Sequence, residues 1–367
     1  MEVLTTILYI FVAVLVLLFM ITIHELGHYL AGKALGFKIN QFSIGFGPAL
    51  FKRTSKKTGE KFAIRIIPLG GFCEFEGEDE AGNESPQAFN NQKPWKRIIV
   101  LLSGAVTNFI VSIFIVILVF VFAGMYFPSV AKNYSQSSVD LDGNPVPMEY
   151  FIKVENSRLK EGDVILAIGG NFLYLNGDLS AQLSKYDVGE AVPVTIINKD
   201  NKRVETVCYK SYFESTDDDG VTIVYAGLGI SQGFESYRLP FFETIGKSFV
   251  YSFKVAWTIL SFFGKLITGQ IGFNGIGGPI ATIGLTAEVA RSGFRNLIDI
   301  VALIGINLAI FNVLPFPALD GARVVFVGIE WVRKKPIKRQ IEAKIHMWGL
   351  IILFAFVIVA DIFYLIL

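Results

Sequence analysis

Charge, histidine and cysteine are all scarce in this chain of 367 residues. Charged residues make up 18% of it, where about 25% is usual for a soluble domain. Together with a mean hydropathy of +0.52, this argues against an ordinary soluble protein. The net charge of +1 brings no basic excess to attract phosphate, so it gives no reason to expect a nucleic-acid partner. Two cysteines, Cys73 and Cys208, cannot make a disulfide-rich secreted scaffold. With only three histidines in the chain, any two that fall together are conspicuous. Phenylalanine is abundant at 33 residues, and long apolar runs recur. Length alone allows two or three domains. The composition points to an integral membrane protein with a soluble insert.

Four uncharged or nearly uncharged runs stand out: residues 3–23, 98–131, 300–319 and 347–367. Each is long enough to span a bilayer. The first reads poorly as a signal peptide, because Glu2 precedes it without Lys or Arg and no small-residue cleavage site follows. The second outlasts one span, which places Pro128 beyond its end. The third holds Asn307, Asn312, Pro315 and Pro317, odd residues for a plain anchor, and the fourth is broken only by Asp361. Between residues 245 and 267, Lys247, Lys254 and Lys265 interrupt the apolar positions. An amphipathic helix in the interface fits this stretch better than a fifth span.

Charge orients these runs. Residues 33–97 carry 11 Lys/Arg and residues 323–344 carry seven, so the positive-inside rule puts both in the cytoplasm. Residues 132–243 hold 10 Lys/Arg against 17 Asp/Glu and lie outside. Both termini are then extracytoplasmic, and Cys73 and Cys208 sit on opposite sides and should not pair. Four spans close this topology and a fifth would break it. The expected fold is a polytopic α-helical membrane protein of about four transmembrane helices.

Residues 132–212 lose the apolar runs and alternate strand-like patches with turns. Residues 164–168 precede Gly169-Gly170, residues 192–197 precede a polar turn, and a helix fits 178–186. The stretch 159–170 resembles the strand and turn of a bacterial protease-associated PDZ domain, a module that binds extended peptides at a sheet edge. A spacer domain without a ligand is the alternative. Residues 62–76 form two alternating runs around Gly70-Gly71, which suggests a hairpin on the cytoplasmic side.

The strongest chemical signal is His24-Glu25-Leu26-Gly27-His28. Residues four apart share a helix face, so two imidazoles can grip one metal ion. In this HExxH arrangement of zinc hydrolases the glutamate is general base toward a water activated by the metal. Two of the three histidines fall in it, and ionisable groups at membrane depth are costly and usually functional. A polar helix end meeting water is the bland alternative. A catalytic zinc needs a third protein ligand. His346, beside Trp348 at the start of the fourth run, reads as an interfacial histidine. Asp320 is the stronger candidate: it follows Pro315 and Pro317, which break the helix. Broken backbone at membrane depth is tolerated where it lines a cavity or is buried in protein. The distribution of charge also brings His24 and Asp320 to the same side of the bilayer. Ligand type alone would accept several metals besides zinc.

HExxH in the first span, Asn312-Val313-Leu314-Pro315-Phe316-Pro317-Ala318-Leu319-Asp320-Gly321 in a later one, and a PDZ-like insert between them resemble the site-2 protease family of intramembrane zinc metalloproteases. The bacterial regulator-of-sigma-E protease branch is the nearest. The resemblance covers nearly the whole chain. It implies that His24, His28 and Asp320 bind one zinc ion, that Glu25 activates water, and that Asn312 helps hold substrate or the oxyanion. It likens residues 66–72, with Gly70 and Gly71, to a membrane-associated β-hairpin that pairs with extended substrate. Asn108 matches the second-span motif, Gly277-Gly278-Pro279-Ile280 matches the turn ahead of the third span, and 245–267 matches the helix after the PDZ region. The implied domains are 1–131, 132–212 (an extracytoplasmic PDZ-like domain), 213–299 and 300–367. The implied setting is a bacterial plasma membrane, with lipid and transmembrane substrates such as anti-sigma factors or remnant signal peptides as partners, and a peptide ligand for the PDZ-like domain.

Two departures appear: one PDZ-like insert where the best-studied form has two, and Ala322-Arg323 where a second glycine is frequent. A non-catalytic adaptor with a peptide-binding domain is the rival class, and intact Glu25 argues against it. A metal transporter fits worse, since too few intramembrane ligands are present for a path across.

Overall fold

The structure is a computed structural model that describes residues 2–78, 85–216, 221–271, 278–335, 337 and 339–366. Helix α1 (Glu2–Leu35) leads into strands β1 (Ile39–Thr54) and β2 (Lys61–Phe75) and then helix α2 (Pro94–Ala123). A strand-rich stretch follows. It comprises β3 (Met125–Asn133), β4 (Ser135–Gln136), α3 (Met148–Glu155), β5 (Val164–Ile168), β6 (Asn171–Phe172), α4 (Asp178–Leu183), β7 (Ala191–Ile197), β8 (Arg203–Tyr209), β9 (Ser211–Thr216), β10 (Thr222–Gly227) and β11 (Ile230–Tyr237). Helices α5 (Phe241–Ile267), α6 (Pro279–Arg291), α7 (Phe294–Val313), α8 (Asp320–Arg333) and α9 (Arg339–Ile366) complete the order. The chain divides into two compact units, Met1–Val119 with Ser248–Leu367, and Phe120–Lys247.

The helical unit turns its apolar side chains outward. Leu4, Ile110, Phe114, Trp257 and Phe354 are all exposed, the pattern of helices solvated by lipid rather than water. Among the described residues, five helices are long and apolar enough to cross a membrane: those at Leu4–Leu35, Pro94–Ala123, Phe241–Ile267, Phe294–Val313 and Gln340–Ile362. The sequence predicts four, with 245–267 in the interface. The additional one is α5, whose lysines shorten its uncharged windows without breaking the helix. Its exposed face carries Phe242, Phe249, Phe253 and Trp257, while Thr244, Ser248 and Ser252 are buried. Helix α7 begins at Phe294 and stops at Val313, ahead of Pro315, so the prolines lie outside it. Asp361, buried near the end of α9, accepts hydrogen bonds from the backbone N–H groups of Ile280 (3.2 Å) and Ala281 (3.1 Å). A helix N-terminus thereby satisfies a carboxylate that would be costly alone at that depth. Gly277 of the proposed turn lies outside the described residues, whereas Gly278 ends in that carboxylate's reach, directly before α6.

Strands β1 and β2 are the hairpin, and its turn is at 55–60 rather than at Gly70-Gly71. The glycine pair is a bend inside β2. Gly70 adopts φ +113, a region that favours glycine. The bend lets the two halves of β2 flank the first half of β1: Phe42 lies opposite both Cys73 and Phe62. Leu50, Phe51, Ile66 and Ile67 remain exposed on it.

Helix α2 is the template for the metal-ligand candidates described below. Arg97, only 2% exposed, pairs through one nitrogen with both carboxylate oxygens of Glu330 at 3.0 Å each. This ties the start of α2 to α8, whose first residue is Asp320. Removing one partner of such a buried pair costs about 3–5 kcal/mol. Phe37, Ile39, Phe75, Phe89, Val100, Leu101 and Val327 pack as the core around that junction.

The other unit is a six-stranded sheet, β11-β3-β5-β7-β8 with β6 on β5, beside a three-stranded sheet, β10-β9-β4. Strands β5 and β7 occupy the expected 164–168 and 192–197, and α4 covers the first part of 178–186. Ile165, Ile168, Leu173, Val192 and Val194 form its core. The unit extends beyond 132–212 on both sides, because β11 pairs with β3 from Ile230↔Asn133 to Tyr237↔Met125. Cys73 and Cys208 are free thiols.

Candidate metal centre

His24 and His28 stand one turn apart on α1 and are 6% and 7% exposed. Their Nε2 atoms lie 3.1 Å apart. Asp320 brings Oδ2 to 2.9 Å from His24 Nε2 and 3.3 Å from His28 Nε2. Three donor atoms thus form a small triangle. Zinc held by such donors at ~2.0–2.1 Å in a tetrahedron would space them roughly 3.3 Å apart. The observed edges match that spacing to within a few tenths of an ångström.

Hydrogen bonding sets the direction of one donor. His28 Nδ1 lies 2.8 Å from the Val100 carbonyl oxygen. A carbonyl only accepts, so Nδ1 carries the proton, and in the neutral ring the Nε2 lone pair faces His24 and Asp320. Metal-ligating histidines are commonly oriented by such a bond from the other ring nitrogen. A metal ion among these three atoms would take a lone pair from each of them at once. Two imidazoles and one carboxylate with room for a fourth ligand suit zinc.

Close helix approach explains why the triangle is tight. A Cβ on Gly104 would lie 2.5 Å from His28 Nε2 and 2.7 Å from His24 Cε1. A Cβ on Gly27 would lie 2.5 Å from the Ser103 carbonyl oxygen. Only glycines allow α1 and α2 to meet at the histidines, as small residues do in membrane helix pairs.

Glu25 is half-buried and lines the same cavity as His28 and Asp320. That cavity has a volume of about 190 Å³ and also meets Phe72, Cys73, Glu78 and Arg323. Arg323, one turn after Asp320, pairs with Glu78 just beyond β2. Burial, with Glu25 as the next contribution, pushes the Cys73 thiol well above its ordinary range.

The remaining sequence candidates are Gly70, Gly71, Asn108 and Asn312. Gly71 packs on Glu25, a Cβ there being 3.3 Å from Glu25 Cγ. Gly70 is the bend of β2, where a Cβ would strike the Phe46 ring. Asn108 is fully buried one turn beyond Gly104 on α2, and its side-chain N and O find no partner among the described residues. Asn312 is half-buried in the last turn of α7. Sequence reasoning missed the Val100 carbonyl, Cys73, Glu78 and Arg323. Nothing in a single sequence marks a backbone carbonyl as a histidine's partner, but Arg323 could have been sought at one turn from Asp320.

The model of Peptidase family M50 matches residues 12–356. A protein of Campylobacter jejuni is 29% identical over 362 residues, covering 95% of this chain and 90% of that one. A Nostoc protein is 30% identical over 353 residues, covering 93% and 91%. One from Fusobacterium nucleatum is 29% identical over 354 residues, covering 96% of each. Each is assigned by its name to the zinc metalloproteases. With the match running from the first helix through the donor triangle and into the last helix, the chain belongs to peptidase family M50, the site-2 proteases.

Proposed function

We propose that this chain is an intramembrane zinc endopeptidase that cuts transmembrane segments of other membrane proteins. One observation carries the reading: His24, His28 and Asp320 present three donor atoms to one point, and Glu25 lines the same cavity. His24, His28 and Asp320 hold one zinc ion. When bound, zinc supplies a Lewis acid that polarises a carbonyl and acidifies water. Glu25 takes the proton of the attacking water and hands it to the leaving amine.

A transmembrane helix must unwind before a peptide bond is reachable. Each freed backbone group costs several kcal/mol in lipid unless paired. The bent strand around Gly70 and Gly71 lies against Glu25 and supplies backbone partners for the unwound segment. Asn108 and Asn312 hold the substrate near the metal. The strand-rich unit, with 132–212 as its PDZ-like part, gates access by excluding large external domains or by binding a peptide end. The chain crosses a bacterial plasma membrane four times, with both termini outside and α5 in the interface, an orientation that the basic segments 33–97 and 323–344 support. Substrates are anti-sigma-factor-like regulators or remnant signal peptides.

The test is cleavage of a tagged single-span substrate by detergent-purified protein and by Glu25→Gln, with zinc measured on both. Cleavage by the unaltered protein is expected, with a loss of about 10²–10⁴-fold in the variant and equal zinc in both. Absence of zinc from both would sink the enzyme and favour an adaptor.

A further inference from the structure

The third histidine, His346, stands on α9 outside the donor triangle. The segment 314–319 links α7 to the first residue of α8, Asp320. Pro315 and Pro317 have no N–H to donate. Phe316 N–H donates to the Leu314 carbonyl (2.7 Å) and Leu319 N–H to the Phe316 carbonyl (3.0 Å). The N–H of Ala318 goes elsewhere: it donates to His346 Nδ1 at 3.0 Å. Ala318 has φ +84. An L-residue in that region costs roughly 1–2 kcal/mol, and such strain persists only where surrounding structure fixes it.

Helix α9 supplies that surrounding structure twice on one face. Gly349, three residues after His346, is buried, and a Cβ there would lie 2.1 Å from Pro317 Cβ and 2.9 Å from the Pro317 carbonyl oxygen. The imidazole itself is held against Phe326 of α8, with ring centroids 5.4 Å apart. An acceptor and a gap, one turn apart, therefore clasp Pro317 and Ala318, three and two residues before Asp320.

We infer that His346 is a positioning residue of the metal centre: its Nδ1 lone pair, with the gap at Gly349, holds the left-handed turn that presents the Asp320 carboxylate to His24 and His28. This rests on the reading of Asp320 as a zinc ligand. The role needs an acceptor at the Nδ1 position and no proton there. An asparagine places its amide oxygen near that position. A glutamine reaches past it, to the Nε2 position.

The experiment uses full-length protein in detergent, loaded with zinc, and reads zinc loss to a chelator together with the visible spectrum of the cobalt-substituted form. His346→Gln should lose zinc about 10–100-fold more readily, the range for partners that orient a ligand, and shift the cobalt spectrum. His346→Asn should recover the behaviour of the unaltered protein. Gly349→Ala should weaken zinc retention in the same sense without touching the imidazole, and it carries the test if a His346 variant does not fold. Unaltered zinc retention in both His346→Gln and Gly349→Ala would overturn the proposal, as would an Asn variant as defective as Gln. Asp320→Asn is run alongside. Zinc retained there would instead sink the ligand assignment itself.

Discussion

His24 and His28 stand on one uninterrupted 34-residue helix, whereas Asp320 opens a helix that follows two prolines and a left-handed alanine. In α1 the backbone does the positioning: any helix puts residues four apart on one face, and the Val100 carbonyl needs only to turn one ring. In the 314–319 segment no regular structure places the carboxylate. Its position comes from partners far away in sequence, namely Arg97 on α2 through Glu330 and His346 with Gly349 on α9. Two donors are fixed locally and one is fixed by packing, so the site should be robust on one side and adjustable on the other.

The largest effect should come from breaking the helix-built side. Gly104→Ala puts a methyl group 2.5–2.8 Å from both imidazoles, closer than any side chain can relieve without moving a helix. Zinc should be lost and cleavage fall below detection, read by metal analysis and the tagged-substrate assay. Wild-type zinc in this variant would mean the helices separate easily, and the distinction between the two sides would fail.

A smaller effect should follow on the loop-built side. Ala318→Val sets a β-branched residue at φ +84 and should cost about 1–3 kcal/mol, with weaker zinc retention. Ala318→Gly should leave zinc in place and change stability by less than about 1 kcal/mol, because relief of strain is offset by a freer unfolded chain. Thermal unfolding with zinc analysis separates the two. Equal behaviour of Val and Gly would remove the turn from the account.

The smallest effect belongs to the strand-rich unit, which holds none of the donors. Burial, with Asp163 as the second contribution, pushes the Cys208 thiol up to about 12. A thiol in an unfolded chain titrates near about 8.5. The folded form keeps its proton through that window while the unfolded form releases it. This contribution to stability is therefore complete below the unfolded value and declines as pH rises toward the folded one. Cys208 should resist maleimide at pH 8 and label only on unfolding, as judged by intact mass. Rapid labelling of native protein would contradict its burial.

The same contrast explains what a reader of the sequence can see. His24, Glu25 and His28 are legible because helical periodicity alone brings them together. Asp320 is legible because Pro315 and Pro317 announce a broken helix before it. The Gly70-Gly71 pair signals a change of direction, yet only the pairing of Phe42 with both Cys73 and Phe62 shows a bend inside one strand. The length of α5 is obscured by Lys247, Lys254 and Lys265, which charge-based span counting treats as interruptions. His346 looks like an interfacial residue until the Ala318 N–H is found on its ring. Each of these depends on contacts between residues distant in sequence, which periodicity does not report.

The most direct measurement is X-ray absorption at the zinc edge of purified, full-length protein. The expected result is coordination by nitrogen and oxygen only, at ~2.0–2.1 Å, with two imidazoles. A sulfur scatterer at ~2.3 Å would make Cys73, which lines the same cavity, a ligand in place of the assigned donors, and would contradict the centre built here from His24, His28 and Asp320.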